Sequence, residues 1–140
     1  MSNNDASLVS FEAHGSVTLG TIDNASMLDG LTVNDFGKEV VDHVNAHPAS
    51  NLLLNFAHVQ YLSSAALTEL IRINDACVAG KGSLRVCNVS KDIRKVFKIT
   101  NFDKLFDIHE EELSEAIRRF GRSVDLSREE EEWAKKNKNF

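Results

Sequence analysis

Proline occurs once in the 140 residues and cysteine twice. One proline excludes a proline-rich linker, and two cysteines cannot make a disulfide scaffold. The polar segment from Met1 to Ser7 lacks the apolar stretch of an export signal, so a reducing, cytoplasmic setting is expected. No apolar run approaches the roughly 18 residues of a membrane helix, and membrane insertion is not expected. Basic residues are outnumbered, 16 Lys and Arg against 21 Asp and Glu, for a net charge of −5. Nucleic acid needs a basic face, so it is not the expected partner. There is no glycine-rich phosphate loop, no Gly-x-Ser-x-Gly elbow and no Cys-x-x-Cys pair. No repeat or low-complexity block is present. Hydrophobic residues, at 42%, suffice for the core of one domain.

Along the chain, residues 1–7 are small and polar and are expected to be disordered. Leu8 to His14 and Ser16 to Thr21 alternate as strands around Gly15, as in a hairpin. Asp23 to Ser26 reads as loop. A helix follows, with Thr32 as its N-cap and Asp35 adding negative charge to the first turn. Val33, Phe36, Val40, Val41 and Val44 form its buried stripe, and Pro48 ends the segment. Asn51 to Phe56 is a short apolar run, as in a strand covered on both faces.

The second helix is expected from about Ser64 to Ala79, with Leu67, Leu70, Ile71, Asn74 and Cys77 on one face and Gly80 and Gly82 at its end. Ser83 to Val89 is another strand. Ser90 caps a short helix to Ile99 with Ile93, Val96 and Phe97 inward. Leu105 to Ile108 is a last strand, and Glu110 to Phe120 a further helix. This alternation predicts an α/β fold, a mixed four- to five-stranded sheet flanked by about four helices. From 121 the composition shifts: residues 122–140 carry five basic and five acidic side chains, so the whole −5 lies on residues 1–121. Ser127 and Glu130 have capping-box spacing, which predicts a separate charged helical tail over 121–140. Trp133 in this segment is expected to dock on the domain or a partner, with a free tail as the alternative; a homodimer through it stays open.

Few residues suggest chemistry. His43 and His47 are four apart, yet no third ligand accompanies them, so an exposed helix-surface pair is expected and no metal or cofactor. Cys77 and Cys87 read as small core residues. Glu69 and Asp75 read as solvated. The informative stretch is His58-Val59-Gln60-Tyr61-Leu62-Ser63-Ser64-Ala65-Ala66-Leu67. Its serines open a helix. There a hydroxyl can cap a free backbone N–H, or, phosphorylated, place a dianion at the positive end of the helix dipole. A hydrolase using Ser64 would need His58 as its base.

That stretch resembles the STAS domain, the module named for sulfate transporters and anti-sigma-factor antagonists. The family pattern is a Leu- and Val-rich strand, a Val-x-Phe/Tyr-Ile/Leu step, and Asp-Ser-Ser/Thr-Gly-Leu opening a helix. Here these are Leu52-Leu53-Leu54-Asn55-Phe56, Val59-Gln60-Tyr61-Leu62 and Ser63-Ser64-Ala65-Ala66-Leu67. Leu28-Asp29-Gly30-Leu31-Thr32 is similar to the family's Leu-Asp-x-x-Thr. Gly80 to Ser90 and Val96 to Phe106 resemble its later strand and its ending. The likeness spans about residues 8–120.

The resemblance implies a non-catalytic regulatory protein that binds a protein partner, an anti-sigma kinase or a signalling scaffold. The serine after the loop Asp is the family's phosphorylation site, which falls on Ser64; Ser63, standing where the family has Asp, would be an accessory or second acceptor. Ala66 replaces the family Gly. The implied partner surface is Leu28, Asp29, Thr32, Tyr61, Leu62, Ser63, Ser64, Ala65, Ala66 and Leu67. The alternative within the family is a non-switching scaffold subunit of a signalling assembly or a lipid-transport ATPase complex.

Overall fold

Leu52, Leu53 and Leu54 are all fully buried, although consecutive residues of a strand point to opposite faces. Both faces of the sheet are therefore covered. A computed structural model describes residues 7–23 and 27–137 and shows how. The expectations for the first residues, the 24–26 loop and residues 138–140 lie outside the described residues.

The elements run β1 (Val9–His14), β2 (Val17–Ile22), β3 (Met27–Leu28), α1 (Gly30–Ala46), β4 (Asn51–Asn55), β5 (Tyr61–Leu62), α2 (Ser64–Ala79), β6 (Ser83–Cys87), α3 (Lys91–Ile99), a 3₁₀ turn (Phe102–Lys104), β7 (Asp107–His109) and α4 (Leu113–Lys136). Five strands form one sheet in the order β1-β2-β4-β6-β7. β1 is antiparallel to β2, through a turn in which Gly15 takes φ +63°. The other pairings are parallel. This is the α/β fold expected from the alternation.

Helices α1, α2 and α3 cover one face. Val33, Phe36, Val40, Val44, Leu70, Ile73 and Phe97 pack there on Leu52, Leu54, Leu84 and Val86. Phe97 meets Phe56 and Phe106 edge-on, with ring centroids 6.1 and 5.8 Å apart. α4 covers the other face, where Ala116 and Phe120 pack with Val17, Leu19, Leu53 and Cys87.

Several local expectations are corrected. α1 begins at Gly30 after Asp29, and Thr32 lies inside the helix rather than capping it. Gly30 takes φ +55°, a left-handed conformation glycine adopts freely, and this lets the chain turn into the helix three residues early. On α2 the buried face is Ala66, Glu69, Leu70, Ile73 and Cys77, while Ile71 is 39% exposed. Glu69 is thus buried, 8% exposed, rather than solvated. It lies over Gly37 of α1, where a Cβ would come within 1.9 Å of Glu69 Oε1. The last strand is Asp107–His109, because Phe106 turns into the phenylalanine cluster and leaves Leu105 exposed.

The separate tail helix is also corrected. α4 continues through Gly121 to Lys136, and Ser127 is interior to it. Phe120 and Val124 continue the stripe that packs on β2 and β4, and this packing carries the helix past the glycine. Trp133 does not dock on the domain; it is 68% exposed.

Candidate functional site at the start of the second helix

β4 delivers the chain to the carboxyl end of the sheet, where Phe56 and Val59 are buried. β5 follows and pairs in parallel with β3, Met27 opposite Tyr61 and Leu28 opposite Leu62. The Ser63 N–H donates to the Leu28 carbonyl at 3.0 Å, which extends this two-stranded ribbon to the start of α2. The ribbon brings the Leu28–Thr32 segment beside Tyr61–Ser64. Strands of two residues have too little pattern to be read from sequence, so this juxtaposition was not derivable from periodicity.

Ser63 and Ser64 divide the chemistry. Ser63 is the N-cap of α2, with extended backbone (φ −83°, ψ 168°), and its Oγ accepts the Ala66 N–H at 3.2 Å. Ser64 is the first helical residue, and its side chain is exposed. No hydrogen bond within the described residues engages its hydroxyl, and none joins it to the exposed His58. The first turn of α2 holds no acidic residue. The positive end of the dipole is therefore not neutralised by a side chain in that turn.

The remaining expected residues fall into two groups. Tyr61 and Ala65 are exposed, and Asp29, Thr32 and Leu67 are half-buried. Leu28, Leu62 and Ala66 are buried and hold the site from beneath. The Ala66 methyl, where the family has glycine, is wholly enclosed.

His43 stacks between Phe11 and His47, with ring centroids 3.7 and 4.2 Å away. Partial burial, and then the neighbouring His47, lower its pKa. Among the described residues no three His, Cys, Asp or Glu side chains gather as for a metal ion. Cys77 and Cys87 are buried free thiols, both pushed up to about 12 by burial.

One polar cluster escaped the sequence reading. His109 is buried at the sheet edge, 2.6 Å from Glu111 through Nδ1 and 3.1 Å from Arg85 through Nε2. Arg85 stacks over Phe120 and donates to Ser123 Oγ at 3.1 Å, while Arg119 donates to Glu111 at 3.0 Å. The His109 hydrogen bond holds the Glu111 carboxyl down at about 2. These bonds lock α4 onto β6 and β7. The available signal was Arg85, a lone charge in the apolar run of β6. A cleft of about 590 Å³ opens beside them, lined by Arg85, Arg94, Lys98 and Asp107 among others.

With the geometry in place, the sequence profile of the STAS domain matches residues 10–116. The chain belongs to the STAS domain family. Solved STAS-like structures share the fold. An anti-sigma-factor antagonist (STAS) domain protein from Planctomyces limnophilus superposes with a TM-score of 0.71 at 16% identity, over 80% of this chain and 96% of that one. A putative anti-sigma factor antagonist from Thermotoga maritima gives 0.69 at 18% identity, over 80% and 93%. An anti-sigma factor antagonist from Mycobacterium paratuberculosis gives 0.68 at 20%, over 86% and 98%. No curated protein sequence matches significantly. No helix among the described residues is long and apolar enough to cross a membrane.

Proposed function

We propose that this STAS domain is an anti-sigma-factor antagonist-like module that binds a protein partner and is switched by phosphorylation of Ser64. The observation that carries the reading is the division of labour between the two serines. Ser63 Oγ is engaged as the helix cap, which leaves the Ser64 hydroxyl exposed at the first helical position. A phosphate there adds about −1.5 to −2 charge. The free N–H groups and dipole of α2 accommodate it without unfolding the domain. Its effect falls on the surrounding surface: Tyr61, Ala65, Asp29 and Thr32 from the β3–β5 ribbon and the two helix starts. The module acts in the cytoplasm by occupying or releasing this surface and performs no catalysis of its own.

The experiment is incubation with the anti-sigma kinase and ATP, followed by peptide mass spectrometry. One phosphate on Ser64, absent from Ser64→Ala and retained in Ser63→Ala, is the expected result. Phosphate on Ser63 alone, or on neither serine, overturns the assignment.

A further inference from the structure

The family match ends at Ala116, but α4 runs twenty residues further, to Lys136. Beyond Val124 every α4 residue is exposed. Two of them are large and apolar: Leu126, 49% exposed, and Trp133, 68% exposed. They are seven residues apart and so lie on one face of the helix. At 3.6 residues per turn that face also presents Arg119 and Arg122 before Leu126, Glu130 between the two apolar groups, and Asn137 after them. The stripe is therefore polarised, basic on one side of Leu126 and acidic on the other.

We propose that this stripe is a homodimer interface, in which α4 of one copy pairs antiparallel with α4 of a second about a two-fold axis at Leu126. Charge selects this register. It sets Leu126 against its symmetry mate, Arg122 against Glu130, and Arg119 against Trp133. The Arg119 guanidinium bonds Glu111, yet its side chain stays 58% exposed and can stack on an indole. Glu115 then meets Asn137. A parallel pair would place Arg122 near Arg122 and Glu130 near Glu130, which like-charge repulsion disfavours. Setting Leu126 against Trp133 instead would bring Glu129 onto Glu130. Of these three arrangements, the register centred on Leu126 is the one that pairs opposite charges, and by symmetry it makes each contact twice. The overlap is small, so the dimer is expected to dissociate on dilution. Nothing in this inference depends on Ser64.

The test uses the full chain in sedimentation equilibrium over a dilution series. The fluorescence of Trp133, the single tryptophan, is followed in parallel. A dimer is expected, with Trp133 emission shifting to the blue as it forms. Arg122→Glu and Glu130→Arg each weaken it ~10-fold or more, a change of about 1.4 kcal/mol. The double variant R122E/E130R restores it. Both substituted positions are exposed, so far-UV circular dichroism should be unchanged throughout. A monomer at every concentration overturns the proposal. So does a dimer indifferent to the single reversals, or one that the double reversal fails to restore.

Discussion

Ser63 Oγ accepts the backbone N–H of Ala66, and this one bond decides which of two adjacent serines is structural. Removing an N-cap hydroxyl costs about 1 kcal/mol, within a range of roughly 0.5–2. Ser63→Ala should therefore lower the denaturation midpoint measurably. Ser64→Ala should leave it unchanged within roughly 0.5 kcal/mol, since its hydroxyl holds nothing. Urea titrations of both variants check this pair of outcomes.

Gly37 and Glu69 form a second coupled pair. A methyl at position 37 would overlap Glu69 Oε1, so Gly37→Ala must push the carboxylate out of its niche. Alanine also favours the helix over glycine by about 1 kcal/mol. The two effects oppose each other in the native background. In a Glu69→Ala background only the helix preference remains, and Gly37→Ala should then stabilise by about 1 kcal/mol. A double-mutant cycle measures the difference, and strict additivity would show that the two residues do not compete for the space.

Acid stability depends on Glu111. Its carboxyl is lowered from 4.5 to about 2, first by the hydrogen bond from His109 and further by Arg119. A carboxylate depressed in the folded state stabilises fully above its unfolded pKa. That contribution is lost as pH falls through the folded value. The stability gap between the native protein and Glu111→Gln should therefore be widest above pH 4.5 and close as pH drops toward 2. Denaturant titrations at several pH values test it, and a gap that widens with acid would contradict the sign.

Cys77 and Cys87 are buried, with thiols pushed up to about 12. The thiolate is the reactive form. At pH 8 the folded protein should resist a thiol-specific reagent such as dithionitrobenzoate, and both cysteines should react once it is unfolded in guanidinium. Rapid labelling of the native protein would mean that α2 or β6 opens readily.

The parts of this fold written in local chemistry were legible. Ser90 caps α3 as its position suggests, accepting the Ile93 N–H at 3.2 Å. The valine and phenylalanine spacing of α1 reports its buried face, and the unbroken leucines of β4 report a strand covered on both sides. Features decided by tertiary contact were not legible. Gly121 and the Ser127–Glu130 spacing both signal a break, but Phe120 and Val124 packing on the sheet outweigh a glycine that costs about 1 kcal/mol. Glu69 reads as a surface acid until Gly37 is placed opposite it. At the candidate site, the serine step announced a helix start. The β3–β5 ribbon that sets Leu28 and Asp29 beside it depends on a backbone bond from Ser63 that no pattern of side chains encodes.

In the proposed switch, charge on Ser64 controls partner binding. The most direct measurement is calorimetric titration of the anti-sigma kinase with the native protein, Ser64→Ala and Ser64→Asp. The native protein and Ser64→Ala should bind alike, and Ser64→Asp should bind at least ~10-fold more weakly, a loss of about 1.4 kcal/mol. Equal affinity for all three, with the fold intact by circular dichroism, would contradict the switch and identify a constitutive STAS subunit instead.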